Sequence, residues 1–420
     1  MPRAGHHGGP RRVSTANDVK PRHVIAFDHH APEFRDHCPA VVARLHATGE
    51  PLGWSDAHGG YWAVYGYDAI YDAVQDPDLF SSAHSGAVPK GVPRSTYDDP
   101  LIPIDVDGPL VHEYRRVVLA WFSPGGAKAM EPRIRALATD FIDAFIERGQ
   151  CDLSHELLLP LPARLILEGL AFDPERWSEW IEWIHSVVHD RTKHPDKALS
   201  ATENIFGNIA VEIERRRGDL GDDLLSDILR ARFDGEPFTD QQVMSYVFLL
   251  LLGGMDTTAG LTGNALVELD RNRELRQALI DDPSLLPKAT EEFLRRESPS
   301  YGLYRTVTRD AVFHGQQLRA GDRAILMFPA AGLDPSAFDH PEEIDLTRTA
   351  NRHMAFGLGP HRCLGSHHAR VMFQVMVGEV LRRMPDYELD GPFVRFEDAG
   401  DVYAVRELPV RFTPGPRETA

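Results

Sequence analysis

Cysteine is scarce in this sequence. Its 420 residues hold only Cys38, Cys151 and Cys363, an odd number set far apart with no Cys-x-x-Cys spacing. That excludes a disulfide framework and a zinc ribbon, and it points to a reducing compartment, so a cytoplasmic protein is expected. Long hydrophobic runs are missing as well. The most apolar stretch is Val247–Met255, nine residues with its two glycines counted, against the roughly 20 that a membrane-spanning helix needs. The first residues are rich in His, Gly, Pro and Arg and lack the apolar core of a signal peptide. Residues 1–20 therefore read as a disordered tail, with His6 and His7 solvated. Positive charge is the rarer sign: 45 Lys and Arg stand against 63 Asp and Glu, a net charge of −18, which argues against nucleic acid or anionic lipid as a partner. No repeat of the length that builds solenoids is present.

What is abundant is ordinary for a large folded core: 42% hydrophobic and 26% charged residues. Residues 21–415 read as one domain. Aromatic and β-branched residues from Tyr61 to Tyr65 predict a strand and Tyr67 to Val74 a helix. Ser81 to Pro109, rich in Gly, Pro, Ser and Asp, predicts a long loop of the kind that covers a binding site. Helical periodicity dominates from Glu113 to about Leu229, with breaks near Pro124 and across Pro160–Pro162. Thr239 with Gln242 predicts a capping box that opens a long helix through about Asp270. A further helix is expected after Pro287, strands at Ala311–Phe313 and Ala324–Phe328 with a turn at Gly321-Asp322, and a last helix from about Gly365 to Met384 followed by strand-like pieces to Phe412. The fold class is mainly α with a minor β region (α+β), without the βαβ rhythm of a doubly wound nucleotide fold.

The most informative ten residues run Phe356-Gly357-Leu358-Gly359-Pro360-His361-Arg362-Cys363-Leu364-Gly365. Two glycines permit backbone turns that a Cβ would obstruct and let the chain lie close to a flat ligand. Cys363 then stands at the mouth of a helix, where main-chain N–H groups and the helix dipole favour a thiolate, a strong axial donor to heme iron. A lone cysteine is more commonly a buried structural residue, and a catalytic nucleophile would need a base and an orienting group that this loop lacks. The surroundings decide between these readings, because the stretch resembles the cysteine-loop signature of the cytochrome P450 family, Phe-Gly-x-Gly-x-His-x-Cys-x-Gly, at every specified position.

The resemblance extends from about His23 to Pro414 and is greatest to the soluble bacterial members of the camphor-hydroxylase type. It implies the P450 fold, with heme b (iron protoporphyrin IX) between a long oxygen-activation helix and the cysteine loop. Cys363 would ligate the iron, with Phe356, Gly357 and Gly365 shaping the heme-binding loop. Gly253-Gly254-Met255-Asp256-Thr257-Thr258 resembles the oxygen-activation motif, in which a small residue leaves room for O2, Thr257 holds a water by hydrogen bond and Asp256 relays protons from solvent. A carboxylate directly after so apolar a run is costly unless it is paired or used. Glu292-Phe293-Leu294-Arg295 fits the family's Glu-x-x-Arg pair, i and i+3 on one helix face, with Arg348 as a third, structural partner.

Arg115, Arg305 and His361 are implied as donors to the heme propionates, Arg305 lying eight residues before Phe313 of the Phe-x-Gly turn. The sequence departs from the family at Val111, where many relatives carry His. His112 follows one place later, and one residue turns a helix by about 100°, which leaves open which of the two faces a propionate. Over the heme, Leu249, Leu252, Gly253, Thr257, Tyr301, Leu303, Val402 and part of the loop near Tyr97 to Leu101 are expected to line a pocket for a hydrophobic small molecule such as a terpenoid, steroid, fatty acid or macrolide, with Asp99 near it. Electrons would come from a small ferredoxin or flavodoxin docking near Arg362 and Arg116 on an otherwise monomeric protein. An O2-dependent monooxygenase is the expected activity. A peroxide-driven enzyme of the same fold would not need the Asp256-Thr257 pair, and a non-catalytic heme sensor would need neither that pair nor a redox partner.

Overall fold

The computed structural model describes residues 22–83 and 100–418, so the tail and the Tyr97 and Asp99 part of the expected pocket loop lie outside the described residues. Proline places many of the helices. Pro32–Ala47, Pro109–Arg116, Pro124–Asp143, Pro160–Gly169 and Pro195–Arg217 all open on proline, whose φ suits a first turn and whose missing N–H is not required there. The expected breaks at Pro124 and Pro160–Pro162 are thus helix starts. The interruption comes before each, at the latter as a single wide turn over Ser154–Leu158.

The capping box at Thr239 forms as expected: its hydroxyl accepts from Gln242 N–H, and the Gln242 side chain accepts from Thr239 N–H. The long helix that follows is not continuous, however. It runs over Asp240–Met255 and resumes as Thr257–Arg271, interrupted at Asp256. The 32 residues of Asp240–Arg271 are long and apolar enough to cross a membrane, but 61% of their most apolar window is buried against protein, as a core helix requires. Around it pack the helices Trp177–His189, Pro195–Arg217 and Ser366–Arg383, the last also lying along Pro124–Asp143. Leu251, Met255, Ala265, Leu266 and Leu269 are all fully buried in the resulting core.

A five-stranded sheet closes one end of the molecule, in the order Leu52–Ser55, Tyr61–Val64, Arg323–Leu326, Leu303–Val307, Phe80–Ser81. All neighbours are antiparallel except Tyr61–Val64 and Arg323–Leu326, which pair in parallel with Trp62 opposite Ala324. The strand expected over Ala324–Phe328 stops at Leu326, because Phe328-Pro329 starts the helix Phe328–Gly332. At Gly302, φ is +133° and a Cβ would stand 1.9 Å from the Leu326 carbonyl oxygen, so the strand Leu303–Val307 begins where only glycine fits. The sequence reading missed the first helix, Pro32–Ala47. Pro39 lies inside it and His37 leaves helical geometry (φ −137°, ψ 33°), which breaks the periodicity that would announce it.

Candidate active site

The cysteine loop is built by two left-handed glycines, Gly357 (φ 64°) and Gly359 (φ 65°), and closed by a 2.7 Å hydrogen bond from Cys363 N–H to the Phe356 carbonyl. Gly365 then caps the helix Ser366–Arg383. Cys363 is exposed as a residue, yet enough protein surrounds its sulfur for burial to raise its pKa above that of an ordinary thiol, outweighing the Gly365 N–H and the charges of Arg115, Arg362 and Arg370 that act the other way. A sulfur facing an internal cleft satisfies both observations. Burial thus opposes the helix end and the cations at this sulfur; metal coordination deprotonates a thiol outright.

Two arginines and a histidine converge beside this loop. Arg115 Nη2 donates to the Arg362 carbonyl at 2.7 Å. Arg305 is buried, with burial pulling its pKa down to about 10, and its Nη1 donates to the Tyr304 carbonyl at 2.8 Å. His361 is pulled down to about 4 by burial and by the charges of Arg305 and Arg115, against Asp107. Among the described residues no carboxylate pairs with Arg115 or Arg305. Val111 is fully buried and His112 is exposed, so of the two only Val111 is packed into the core.

On the central helix, the Thr257 hydroxyl donates to the Gly253 carbonyl at 2.9 Å, a bond to the i−4 oxygen of the kind that bends helices. Asp256, at the interruption, is fully buried. Its carboxylate meets two histidines from the last turn of Trp177–His189: His189 Nε2 at 3.1 Å and His185 Nε2 at 3.4 Å. Burial would raise its pKa, but the two imidazoles outweigh burial and hold the carboxyl well below the usual range. The sequence reading missed both partners, although the i, i+4 spacing of His185 and His189 was a visible signal.

Glu292 is buried and accepts from Arg295 at 2.9 and 3.0 Å, from Arg348 at 2.9 Å, from Asn351 at 2.9 Å and from the Asp345 N–H at 3.0 Å. Arg295 also donates to the carbonyls of Gly332 and Pro341. Every charge in this cluster has partners, and removing one from such a pair costs about 3–5 kcal/mol. Next to it Glu291, not foreseen, joins two helices: Arg370 donates twice to it, at 2.6 and 2.8 Å, and His353 lies at 3.0 Å. The Arg370 guanidinium also covers the Phe356 ring at 4.6 Å, tying the brace to the cysteine loop.

The expected pocket residues divide. Leu249, Leu252, Gly253 and Thr257 form an accessible strip on a helix whose other faces are buried, and Leu303 is part-exposed. Nothing lies within 4 Å of a Cβ placed on Gly253. Tyr301 is a correction: it is buried among Phe34 and Tyr403 with its hydroxyl on Cys38 Sγ at 2.6 Å, inside the sheet-side core. Val402 is likewise enclosed, bridged to Ser300.

A family model described as Cytochrome P450 matches residues 175–385. The Steroid C26-monooxygenase of Mycobacterium tuberculosis (strain CDC 1551 / Oshkosh) is 36% identical over 366 residues, which cover 85% of this chain and 96% of that protein. This chain is a cytochrome P450. Among solved structures, the P450 CYP109Q5 from Chondromyces apiculatus superposes with a TM-score of 0.82 at 29% identity, covering 93% of this chain and 98% of that one. CYP109E1 from Bacillus megaterium, solved with testosterone, gives 0.82 at 26% identity, covering 91% and 100%. The protein is thus a P450 monooxygenase that uses heme b, O2, a redox partner and a hydrophobic substrate. The residues present fit the heme: an exposed cysteine in a closed loop, Arg115 and Arg305 beside it with no ion pair to a carboxylate among the described residues, and the unfilled space at Gly253.

Proposed function

We propose that Cys363 is the axial ligand of the heme iron in this P450, that Arg115, Arg305 and His361 hold the propionates, and that Phe356, Gly357 and Gly365 form the loop against the ring. The observation that supports this best is an exposed Cys363 whose thiol lies in the field of Arg115, Arg362 and Arg370. Heme bound through a thiolate supplies the redox chemistry that activates O2 and inserts one oxygen atom into a substrate.

The protein's own part is positioning and proton supply. The Thr257 hydroxyl, which donates to the Gly253 carbonyl, would hold a water by hydrogen bond, and Asp256 would pass it protons. Leu249, Leu252 and Leu303 keep bulk water out and present an apolar wall. The substrate is a steroid or a similarly rigid apolar molecule, a reading supported by these lining residues and by the 36% identity to a Steroid C26-monooxygenase. Electrons come from a ferredoxin or flavodoxin that docks on exposed Arg362; Arg116 is a weaker candidate because Glu113 already pairs with it at 2.8 Å. The enzyme works as a cytoplasmic monomer.

Optical titration tests both levels. The reduced protein with CO is expected to show the red-shifted Soret band of thiolate ligation, and a histidine-type band would remove Cys363. In a panel of steroids, terpenoids and fatty acids, steroids are expected to give the tightest low-to-high-spin shift. A shift with fatty acids alone would overturn the substrate reading and leave the ligation standing.

A further inference from the structure

His189 is fully ordered by its surroundings. Its ring lies flat on Phe396, 3.7 Å between centroids at 4°, and its Nδ1 stands 3.0 Å from the Asp398 carbonyl oxygen. A carbonyl oxygen only accepts, so Nδ1 must carry hydrogen. The proton count at the other nitrogen follows. Nε2 faces Asp256 Oδ2 at 3.1 Å, and two lone pairs cannot face each other there. Either Nε2 is protonated against a carboxylate, or it is bare against a carboxylic acid. Both states place one proton between Asp256 and His189, and transfer across the contact interconverts them without net charge change.

His185 differs. Its Nε2 lies 3.4 Å from the second oxygen, Oδ1, and neither atom has a hydrogen-bond partner among the described residues. Its ring meets the edge of Phe396 at 4.7 Å, and its side chain keeps 18% of its accessibility while that of His189 keeps 3%. Of the pair, His185 has the more exposed side chain, its Nε2 buried against Asp256 and the rest of its ring the part that can reach water.

The neighbouring charges are already committed. Asp398 is held by His30, Thr192 and the Gly400 N–H, and Arg191 pairs with Asp401. On the same stretch of chain, Asp190 pairs with Lys197, and Lys193 with Glu397. Among the described residues no lysine or arginine pairs with Asp256, whose two ionic partners are both groups able to give up a proton.

We propose that His185 and His189 reload Asp256 with protons during turnover, His189 holding one proton in common with it and His185 passing protons to it from solvent. This rests on the reading of Asp256 as proton donor. Each cycle balances: protonated His185 gives a proton to the Asp256 carboxylate, Asp256 gives one to the water held at Thr257, and His185 regains one from solvent. Both histidines act through Asp256, as positioning residues.

The test uses the heme-loaded enzyme and the variants His185→Gln and His189→Gln, whose amides keep a hydrogen bond to the carboxylate but exchange no proton. Product-forming turnover is expected to fall about tenfold or more in His185→Gln. Wild-type turnover should also decline as pH rises and solvent supplies fewer protons through His185, and this decline should be weaker in His185→Gln, where only His189 remains. Independently of activity, nitrogen NMR of histidine-labelled resting enzyme should show His189 with Nδ1 protonated and a shared proton at Nε2. Unchanged pH dependence in His185→Gln, or a bare Nδ1 in His189, would overturn the proposal. An intact thiolate CO band and substrate spin shift in the variants would confine such a failure to the histidines, whereas loss of these signals in the wild type would be a failure of the ligation or substrate reading.

Discussion

Arg115 Nη2 donates its 2.7 Å hydrogen bond to the carbonyl of Arg362, the residue just before Cys363. The helix Pro109–Arg116 is thereby fastened to the cysteine loop through the main chain. Arg115→Ala removes a charged donor from a carbonyl, worth about 1.5–3 kcal/mol, together with a cation facing the sulfur. The expected outcome is a folded protein, by circular dichroism, that retains heme less well on dilution. Arg115→Lys keeps the charge without the planar fork and should lie between the two. Heme retention equal to wild type in Arg115→Ala would count against the clamp.

Gly357 and Gly359 have nearly the same φ, but a Cβ would meet different neighbours. At Gly357 it would lie at ordinary contact distance, 3.5 Å, from Phe328; at Gly359 it would press on Val74 Cγ1 at 3.0 Å. Gly357→Ala should therefore cost only the left-handed backbone strain of about 1–2 kcal/mol. Gly359→Ala should cost more, and Val74→Ala should recover part of that excess and none of the strain. Thermal unfolding of the two single variants and the double variant measures each contribution.

Glu291 is held down to about 2 from 4.5, Arg370 and His353 outweighing its burial. A carboxylate whose folded pKa lies below its unfolded value adds stability above the unfolded pKa and loses it as pH falls through the folded one. The stability difference between wild type and Glu291→Gln should then be constant above about pH 5.5 and shrink progressively between about 4.5 and about 2. Urea unfolding at a series of pH values measures it; a difference that grows toward acid would have the wrong sign.

Gly253 and Gly260 make a second contrast, seven residues apart on the central helices. A Cβ on Gly253 would meet nothing within 4 Å, whereas one on Gly260 would meet Ala404 Cβ at 3.1 Å and Pro299 Cβ at 3.3 Å. Gly253→Leu should fold and bind heme but lose the steroid-induced spin shift. Gly260→Ala should keep the shift and lose stability, by an amount that thermal unfolding will report.

Much of this site was legible because its signals are local. The Phe356–Gly365 loop and the Thr239 capping box are decided within ten residues, and the expected helix from Gly365 to Met384 formed as Ser366–Arg383. Glu292 and Arg295 share one helix turn, and Arg348 was reachable only through the family pattern. The partners of Asp256 were not read, because His189 lies 67 residues away and only the packing of two helices brings them together. Tyr301 was misassigned for the same reason: the sequence next to a strand does not say which face turns toward the core, and Cys38 claims its hydroxyl from the far end of the chain. The break at Asp256 lies among poor helix formers, Gly253, Gly254, Thr257 and Thr258, but the long helical stretches on either side masked it.

The parallel pairing of Tyr61–Val64 with Arg323–Leu326 carries a consequence for synthesis. Trp62 Nε1 is bonded to Asp322, 260 residues later, and Tyr61 and Trp62 are fully buried. On the ribosome, the early hairpin Leu52–Val64 must wait with its aromatic face unsatisfied until most of the chain has emerged. At about 5–20 residues per second, that interval is tens of seconds. The helices between the two strands can condense in that time, and the sheet then joins the amino-terminal part of the chain to a strand 260 positions later, with the cysteine loop Phe356–Gly365 still to follow.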